Sequence, residues 1–416
     1  MAELIKLNNG VRVWVDPMDG LESAAVGIWV RAGAIDEAPE ENGVAHLLEH
    51  MAFKGTAART ARQIAEDIEN VGGYLNASTG YSKTGYYARV LKADIALAFE
   101  ILADILTAPL FDEDELAKER EVVVQEIGEA ADAPDDAVMD VIQSLCFGDH
   151  ALGRPILGSI EAVRSHTSER LRSFMARHYA PSDMVIAASG AVSVDDFVRL
   201  SEDLLGARAS VERHARERAP RYVGGARHDP RDIEQTHIAF AFPGSSVKDG
   251  DYFATRIFSE CLGGGMSSRI FQSVREERGL AYSVYSFSDS YDEVGATGVY
   301  VGTDSGNAAE ATALVRAEIE NLSKTPTDAE IKRARAMLKS TMLMGLENPA
   351  TRAETAVGQL YAHGRLLSTE EISARLDAVS VEDIRNVARK TLEAGAPSLA
   401  IVGPADFGAV QKALNG

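Results

Sequence analysis

The sequence predicts an α+β protein made of two homologous halves, each a mostly antiparallel or mixed sheet packed with helices. Three observations carry that expectation. Strand and hairpin patterns are interleaved with amphipathic helices along the whole chain. The segment Met-Val-Ile-Ala-Ala-Ser-Gly ending at Gly190 returns as Ser-Leu-Ala-Ile-Val-Gly ending at Gly403, 213 residues later, as a duplication requires. No glycine-rich phosphate loop of Walker or dinucleotide type stands between a strand and a helix, and Gly263-Gly264-Gly265 lacks the Lys-Ser/Thr that would follow it in one.

The elements follow in order. Leu4 to Leu7, the turn Asn8-Asn9-Gly10, and Val11, Val13 and Val15 alternating with Arg12 and Trp14 read as a β-hairpin. Ser23–Val30 is an apolar run of buried-strand type. Residues 60–71 form a helix with Ile64, Ile68 and Val71 on one face, stopped by Gly72-Gly73. Strands are expected at Tyr74–Thr79 and 84–90, then a helix at 94–106 and a long acidic helix from about Asp112 past Glu129. The offset of 213 carries Ser23–Val30 onto 236–243, again strand-like, and Asp114-Glu115-Leu116 is echoed at 328–331. Residues 206–232, with seven arginines, two prolines and Gly224-Gly225, read as an exposed linker between halves 1–205 and 233–416.

Composition sets outer bounds. At 416 residues, 45% apolar and 25% charged, the chain is neither collagenous nor disordered. Its 42 basic against 63 acidic residues leave a net charge of −21, which repels nucleic acid and anionic membranes and favours basic partners. Cys146 and Cys261 are far apart with no C-x-x-C, so neither a disulfide framework nor a thiolate metal site is expected. The first residues lack a charged region followed by an apolar one, and no apolar run approaches the roughly 18 residues of a membrane span. A soluble, cytoplasmic protein is therefore expected.

The chemistry concentrates in Glu41-Asn-Gly-Val-Ala-His46-Leu-Leu-Glu49-His50-Met-Ala-Phe-Lys-Gly-Thr56. On a helix His46 and His50 project from one face, and Glu49 stands on the adjoining flank one turn from His46. Val44, Leu47, Leu48 and Met51 are apolar, so the helix is buried and its polar trio would be costly without a partner. Two neutral imidazoles and a carboxylate suit zinc, with a fourth position open to a water whose pKa falls to about 7. Glu49 can accept that water's proton without competing for the metal. The H-x-x-E-H order is that of the inverted zincins. The plainer alternative is a local His46–Glu49 hydrogen bond and a core histidine at 50. Spacing does not fix the third ligand: Glu113, Glu115, Glu119, Glu121, Glu126 and Glu129 all lie on the acidic helix, where Glu119 and Glu126 share a face partly buried by Val122 and Val123.

His-Leu-Leu-Glu-His-Met-Ala-Phe-Lys-Gly-Thr resembles the catalytic motif of the pitrilysin (M16, inverzincin) metallopeptidases and, within that family, the chain resembles the processing-peptidase branch. The resemblance spans the whole chain and implies the pitrilysin-type metallohydrolase fold. Glu126, in Arg120-Glu-Val-Val-Val-Gln-Glu126-Ile, matches the family's third ligand, and Glu119 its supporting acid. Gly72 to Thr79 resembles the edge strand beside the zinc, on which Asn76 and Ala77 would bind an extended peptide. Asn76-Ala77-Ser78 also reads as a glycosylation sequon, and an ordinary hairpin strand is the simpler reading. By the offset, His46, Glu49 and His50 fall on Ser259, Leu262 and Gly263, so the second half is expected to hold no metal.

Residues 263–282 resemble the family's C-terminal segment, whose Arg and Tyr contact substrate near the scissile carbonyl. Arg275 and Tyr282 occupy those places, Tyr282 as a donor to the oxyanion. Phe53 is expected to line a side-chain pocket next to the scissile bond. In this family the metal half faces the Arg/Tyr half, within one double-length chain or between two shorter ones. The present chain is of the shorter type and carries both sets, so a homodimer is expected, each site completed by the partner's Arg275 and Tyr282. The expected activity is zinc-dependent cleavage of extended, basic peptides. A non-catalytic core subunit of the same fold, or a catalytic subunit needing a separate partner chain, are the alternatives.

Overall fold

Strands buried on both faces lie at the centre of each of two sheets. The computed structural model describes residues 2–209 and 219–416. The first sheet contains β1 (Glu3–Lys6), β2 (Arg12–Pro17), β3 (Ser23–Val30), β4 (Tyr74–Thr79), β5 (Thr84–Leu91) and β6 (Met184–Gly190). Their spatial order is β1-β2-β6-β3-β5-β4, with β2 and β6 parallel and the other pairs antiparallel. Strand alternation divides the side chains between two faces. Val13, Val15, Val26, Ile28 and Ile186 enter the main core, whereas Trp14, Trp29, Val185 and Ala187 point the other way.

Among the helices on the main-core side are α1 (Val44–Ala52), α2 (Ala61–Asn70), α3 (Ile95–Thr107) and α4 (Glu113–Asp132). The opposite face is covered from far along the chain by the helix Pro349–His363, which sets Ala353, Ala356, Val357, Leu360 and Tyr361 on the two tryptophans. The Tyr361 hydroxyl lies 2.9 Å from the carbonyl oxygen of Trp29 and 3.0 Å from that of Asp183. The Trp29 indole lies so close across Gly27 and Gly85 that a side chain on either would strike it.

The second sheet contains β7 (Ala226–Asp229), β8 (Gln235–Gly244), β9 (Ala281–Ser290), β10 (Gly295–Asp304) and β11 (Ser398–Val402), in the order β7-β11-β8-β10-β9. Ile238, Phe240, Phe242, Val299, Val301, Leu399 and Ile401 belong to its core. Helix α5 (Pro134–Phe147), from early in the chain, belongs with this unit: the Cys146 carbonyl accepts from the Val223 N–H, and the Phe147 and Tyr291 rings meet edge to face at 5.8 Å.

The expected α+β class with mixed sheets is what the chain adopts. The expected domain limits need correction. The compact units are not the continuous halves 1–205 and 233–416, but 1–128 with 155–217 and 344–366, and 129–154 with 218–343 and 367–416. Each copy has given one helix to the other, because the bare face of each sheet is closed by a helix from the opposite half of the sequence. The linker 206–232 is corrected as well. Residues 210–218 lie outside the described residues, while Ala226–Asp229 is strand β7, held in parallel register by β11, with Ala226 opposite Leu399. Among the described residues no helix is long and apolar enough to cross a membrane.

Candidate active site

Helix α1 begins at Gly43, whose φ of 87° is left-handed, where chain segments meet so closely that a Cβ would lie 2.7 Å from the Leu157 carbonyl oxygen. The buried Glu37 carboxylate closes the helix start: Oε2 accepts from the Gly43 N–H at 3.0 Å and from Asn42 Nδ2 at 3.2 Å, and Oε1 from the Ala45 N–H at 2.9 Å. An anion here satisfies free N–H groups and faces the positive end of the helix. Val44, Ala45, Leu47, Leu48, Met51 and Ala52 are all buried. His46, Glu49 and His50 are left as the one polar stripe.

Helix α4 meets that stripe. Its inward residues are Leu116, Glu119 and Val123, and Glu126 continues the same face one turn on. Val122 does not share in the burial; it is exposed, because it stands beside rather than on this face. Glu126 Oε2 lies 3.5 Å from His50 Nε2 and 3.7 Å from His46 Nε2. These separations are long for hydrogen bonds, but tetrahedral donors about 2.0–2.2 Å from a zinc ion stand about 3.4 Å apart. One ligand atom from each of His46, His50 and Glu126 lies within 4.8 Å of the others. Among the described residues the buried His46 Nδ1 has no hydrogen-bond partner. A donor set of two imidazoles and a carboxylate, spaced too widely to satisfy itself, fits zinc.

Electrostatics favour the same use. Burial, and then the neighbouring His50, hold His46 down to about 4, so near neutrality it is an unprotonated imidazole ready to ligate. Burial raises the Glu49 carboxyl, against a hydrogen bond from Thr79 that lowers it. The Thr79 hydroxyl donates to Glu49 Oε2 at 2.5 Å. Glu119 is buried behind the histidines, its Oε2 3.1 Å from His50 Nδ1 and its Oε1 2.6 Å from Lys54 Nζ.

The other predicted residues are placed as follows. Asn76 and Ala77 lie on β4, the outermost strand of the first sheet. Asn76 Nδ2 donates to the Tyr74 hydroxyl at 2.6 Å, and its Oδ1 accepts from the Ala77 N–H at 2.9 Å. Phe53 caps the C-terminus of α1, half-buried against the core, its ring 6.4 Å from that of Tyr86. Arg275 and Tyr282 belong to the second unit, on the π-helical turn Phe271–Glu276 and on edge strand β9. The Arg275 guanidinium lies over the rings of Phe271 at 4.7 Å and Tyr282 at 5.5 Å. Tyr282 is 77% exposed, so it is no core residue. At the equivalent of the metal helix, the Ser259 hydroxyl donates to that of Ser286 at 3.0 Å, Leu262 is buried, and a Cβ on Gly263 would fall 2.5 Å from the Ser286 nitrogen. That helix packs directly on β9 where α1 has its histidines.

Sequence reasoning missed Glu37, Thr79 and Lys54. Only Lys54 had a signal, its place four residues after His50.

Relatives in other organisms share almost the full length of this chain. A protein of Streptomyces coelicolor named an uncharacterized zinc protease is 36% identical over 407 residues, 96% of this chain and 88% of its own. Profiles of peptidase family M16 match most of this chain, over 17–160 and 165–338. The chain belongs to that family. A Bacillus subtilis protein named an uncharacterized zinc protease, YmxG, is 34% identical over 94% of this M16 chain and 95% of its own. The profile described as Insulinase (Peptidase family M16) matches residues 17–160, which include His46, Glu49, His50, Glu119 and Glu126. The profile described as Peptidase M16 inactive domain matches 165–338, which include Ser259, Leu262 and Gly263. The fold is shared with a protease from Helicobacter pylori (TM-score 0.90, 21% identity, 97% of this chain and 99% of that one). It is shared too with a Pseudomonas fluorescens protein titled peptidase M16 inactive domain (TM-score 0.88, 22% identity, 97% and 98%).

Proposed function

We propose that this chain is a zinc-dependent endopeptidase acting on extended, basic peptides, with Glu49 as general base. The observation that carries the reading is the convergence of His46, His50 and Glu126 within 4.8 Å beside a buried, Thr79-held Glu49. Zinc bound by those three residues would polarise the scissile carbonyl and acidify a water. Thr79 occupies one oxygen of Glu49, leaving the other to take the water's proton and to return it to the departing amine. Burial raises the Glu49 carboxyl above its ordinary value, the direction that suits a group that must both take and give a proton.

A peptide would add to the free edge of β4, where the Asn76 carboxamide and the Ala77 main chain can exchange their mutual hydrogen bond for bonds to substrate. Phe53 would line a pocket for a neighbouring side chain. The net charge of −21 favours basic peptides. Tyr282 would donate to the developing oxyanion, with Arg275 holding substrate beside it, and in a homodimer the partner's Arg275 and Tyr282 would complete each site.

The test is digestion of an unstructured basic peptide, followed by mass spectrometry, with wild type and Glu49→Gln and no added partner. Cleavage by wild type alone supports the reading. If neither cuts while zinc is bound, the chain is a non-catalytic subunit or needs another chain. Mixing Glu49→Gln with Tyr282→Phe chains tests the shared site, since activity above either mutant alone requires residues from two copies.

A further inference from the structure

The stretch following α1 carries an ammonium that the proposed mechanism leaves unused. Lys54 lies just past the C-terminus of the helix, its N–H donating to the Met51 carbonyl at 3.2 Å, where a cation faces the negative end of the helix. Its Nζ is 2.6 Å from Glu119 Oε1, and Glu119 Oε2 is 3.1 Å from His50 Nδ1. Ammonium, carboxylate and imidazole thus form a continuous chain ending at His50 Nε2, the nitrogen that faces Glu126 at 3.5 Å.

We propose that Lys54 is a positioning residue for the metal ligand His50, acting through Glu119. The inference rests on the metal site argued above and adds a residue to it. Glu119 arrives from α4 with its side chain only 8% exposed. A carboxylate that shares its two oxygens between two donors is fixed in rotation as well as in place. Lys54 and His50 are one helical turn apart, so one carboxylate from α4 ties both ends of that turn and sets the plane of the imidazole. Without the ammonium, one Glu119 oxygen loses its charged partner, the carboxylate is free to turn, and the ring it orients loses its fixed aim. The Lys54 side chain, 31% exposed, is not itself part of the core.

The experiment is the zinc dissociation constant, measured by competition with a chromophoric chelator, for wild type, Lys54→Met, Lys54→Arg, Glu119→Gln, the Lys54→Met/Glu119→Gln double variant and His46→Ala. Outer partners of metal-bound histidines are worth about 10–100-fold in affinity, so Lys54→Met should weaken zinc about tenfold and Lys54→Arg should recover most of that. The double variant should bind no more weakly than Glu119→Gln alone. Lys54→Gln replaces the methionine variant if that one does not fold. Zinc lost in His46→Ala but held by Lys54→Met as by wild type overturns the inference alone, as does a Lys54 effect that adds in full to that of Glu119→Gln. A wild type that binds no zinc, or a His46→Ala that binds it equally, overturns the metal reading and the inference together.

Discussion

Replacing Glu37 by glutamine should loosen the metal helix without altering any residue that faces the metal. The carboxylate accepts from the Ala45 N–H on Oε1 and from the Gly43 N–H and Asn42 Nδ2 on Oε2. Glutamine can keep the Ala45 bond on its oxygen, but it turns an NH2 toward the two other donors and removes the charge at the helix start. Hydrogen bonds to a charged group contribute about 1.5–3 kcal/mol each, so with partial relaxation the loss should be about 3 kcal/mol. The protein supplies its own probe. Both of its tryptophans, Trp14 and Trp29, lie in the unit that holds α1, so intrinsic fluorescence in urea reports the unfolding of that unit. With a denaturant slope of about 1–3 kcal/mol per molar, the midpoint should fall by about 1 M or more. A midpoint and zinc affinity both equal to those of wild type would refute the argument that Glu37 secures the start of the metal helix.

Other outcomes follow from the same geometry. Zinc at about 100 times its dissociation constant should stabilise the tryptophan-bearing unit by about 2.7 kcal/mol in wild type, seen as a raised urea midpoint, and leave His46→Ala unmoved. Asn76→Ala should raise KM for an extended peptide more than it lowers kcat, because it alters strand addition and not proton transfer; an unchanged KM would count against the β4 edge. In the second unit burial alone would raise the Glu330 carboxyl, but hydrogen bonds from Arg269 and Thr327 override it and bring it down to about 2. The folded carboxyl thus sits below its unfolded value, so its contribution is present above the unfolded pKa and is lost as pH falls toward 2. Because Glu330 is partly exposed, solvent screening keeps that contribution to about 1 kcal/mol. Hydrogen exchange in Asp328–Gly345 should show that acid sensitivity, and Glu330→Gln should be flat over the same window.

Much of the fold could be read from local pattern, and the failures have a common cause. The run Ser23–Val30 was legible because a strand covered on both faces needs apolar residues at every position. His46, Glu49 and His50 were legible because six buried apolar neighbours leave them one stripe of the helix. Glu126 was not legible from spacing alone, since α4 carries many carboxylates and only packing shows that Leu116, Glu119 and Val123 point inward. Glu37 and Thr79 are ordinary polar residues whose partners lie 8 and 30 positions away, a pairing that no helical or strand period encodes. The helices Pro134–Phe147 and Pro349–His363 were not read from the sequence at all, and even an apolar face would not say which sheet it will cover.

That exchange of helices bears on how the chain can be divided. A cut in the arginine-rich stretch between 209 and 219 yields two fragments, and neither holds a full unit. The N-terminal piece would leave Trp14 and Trp29 without Tyr361 and its neighbours, and the C-terminal piece would lack α5. Neither should be soluble on its own, yet the two made together should reassemble, because each carries the missing helix of the other.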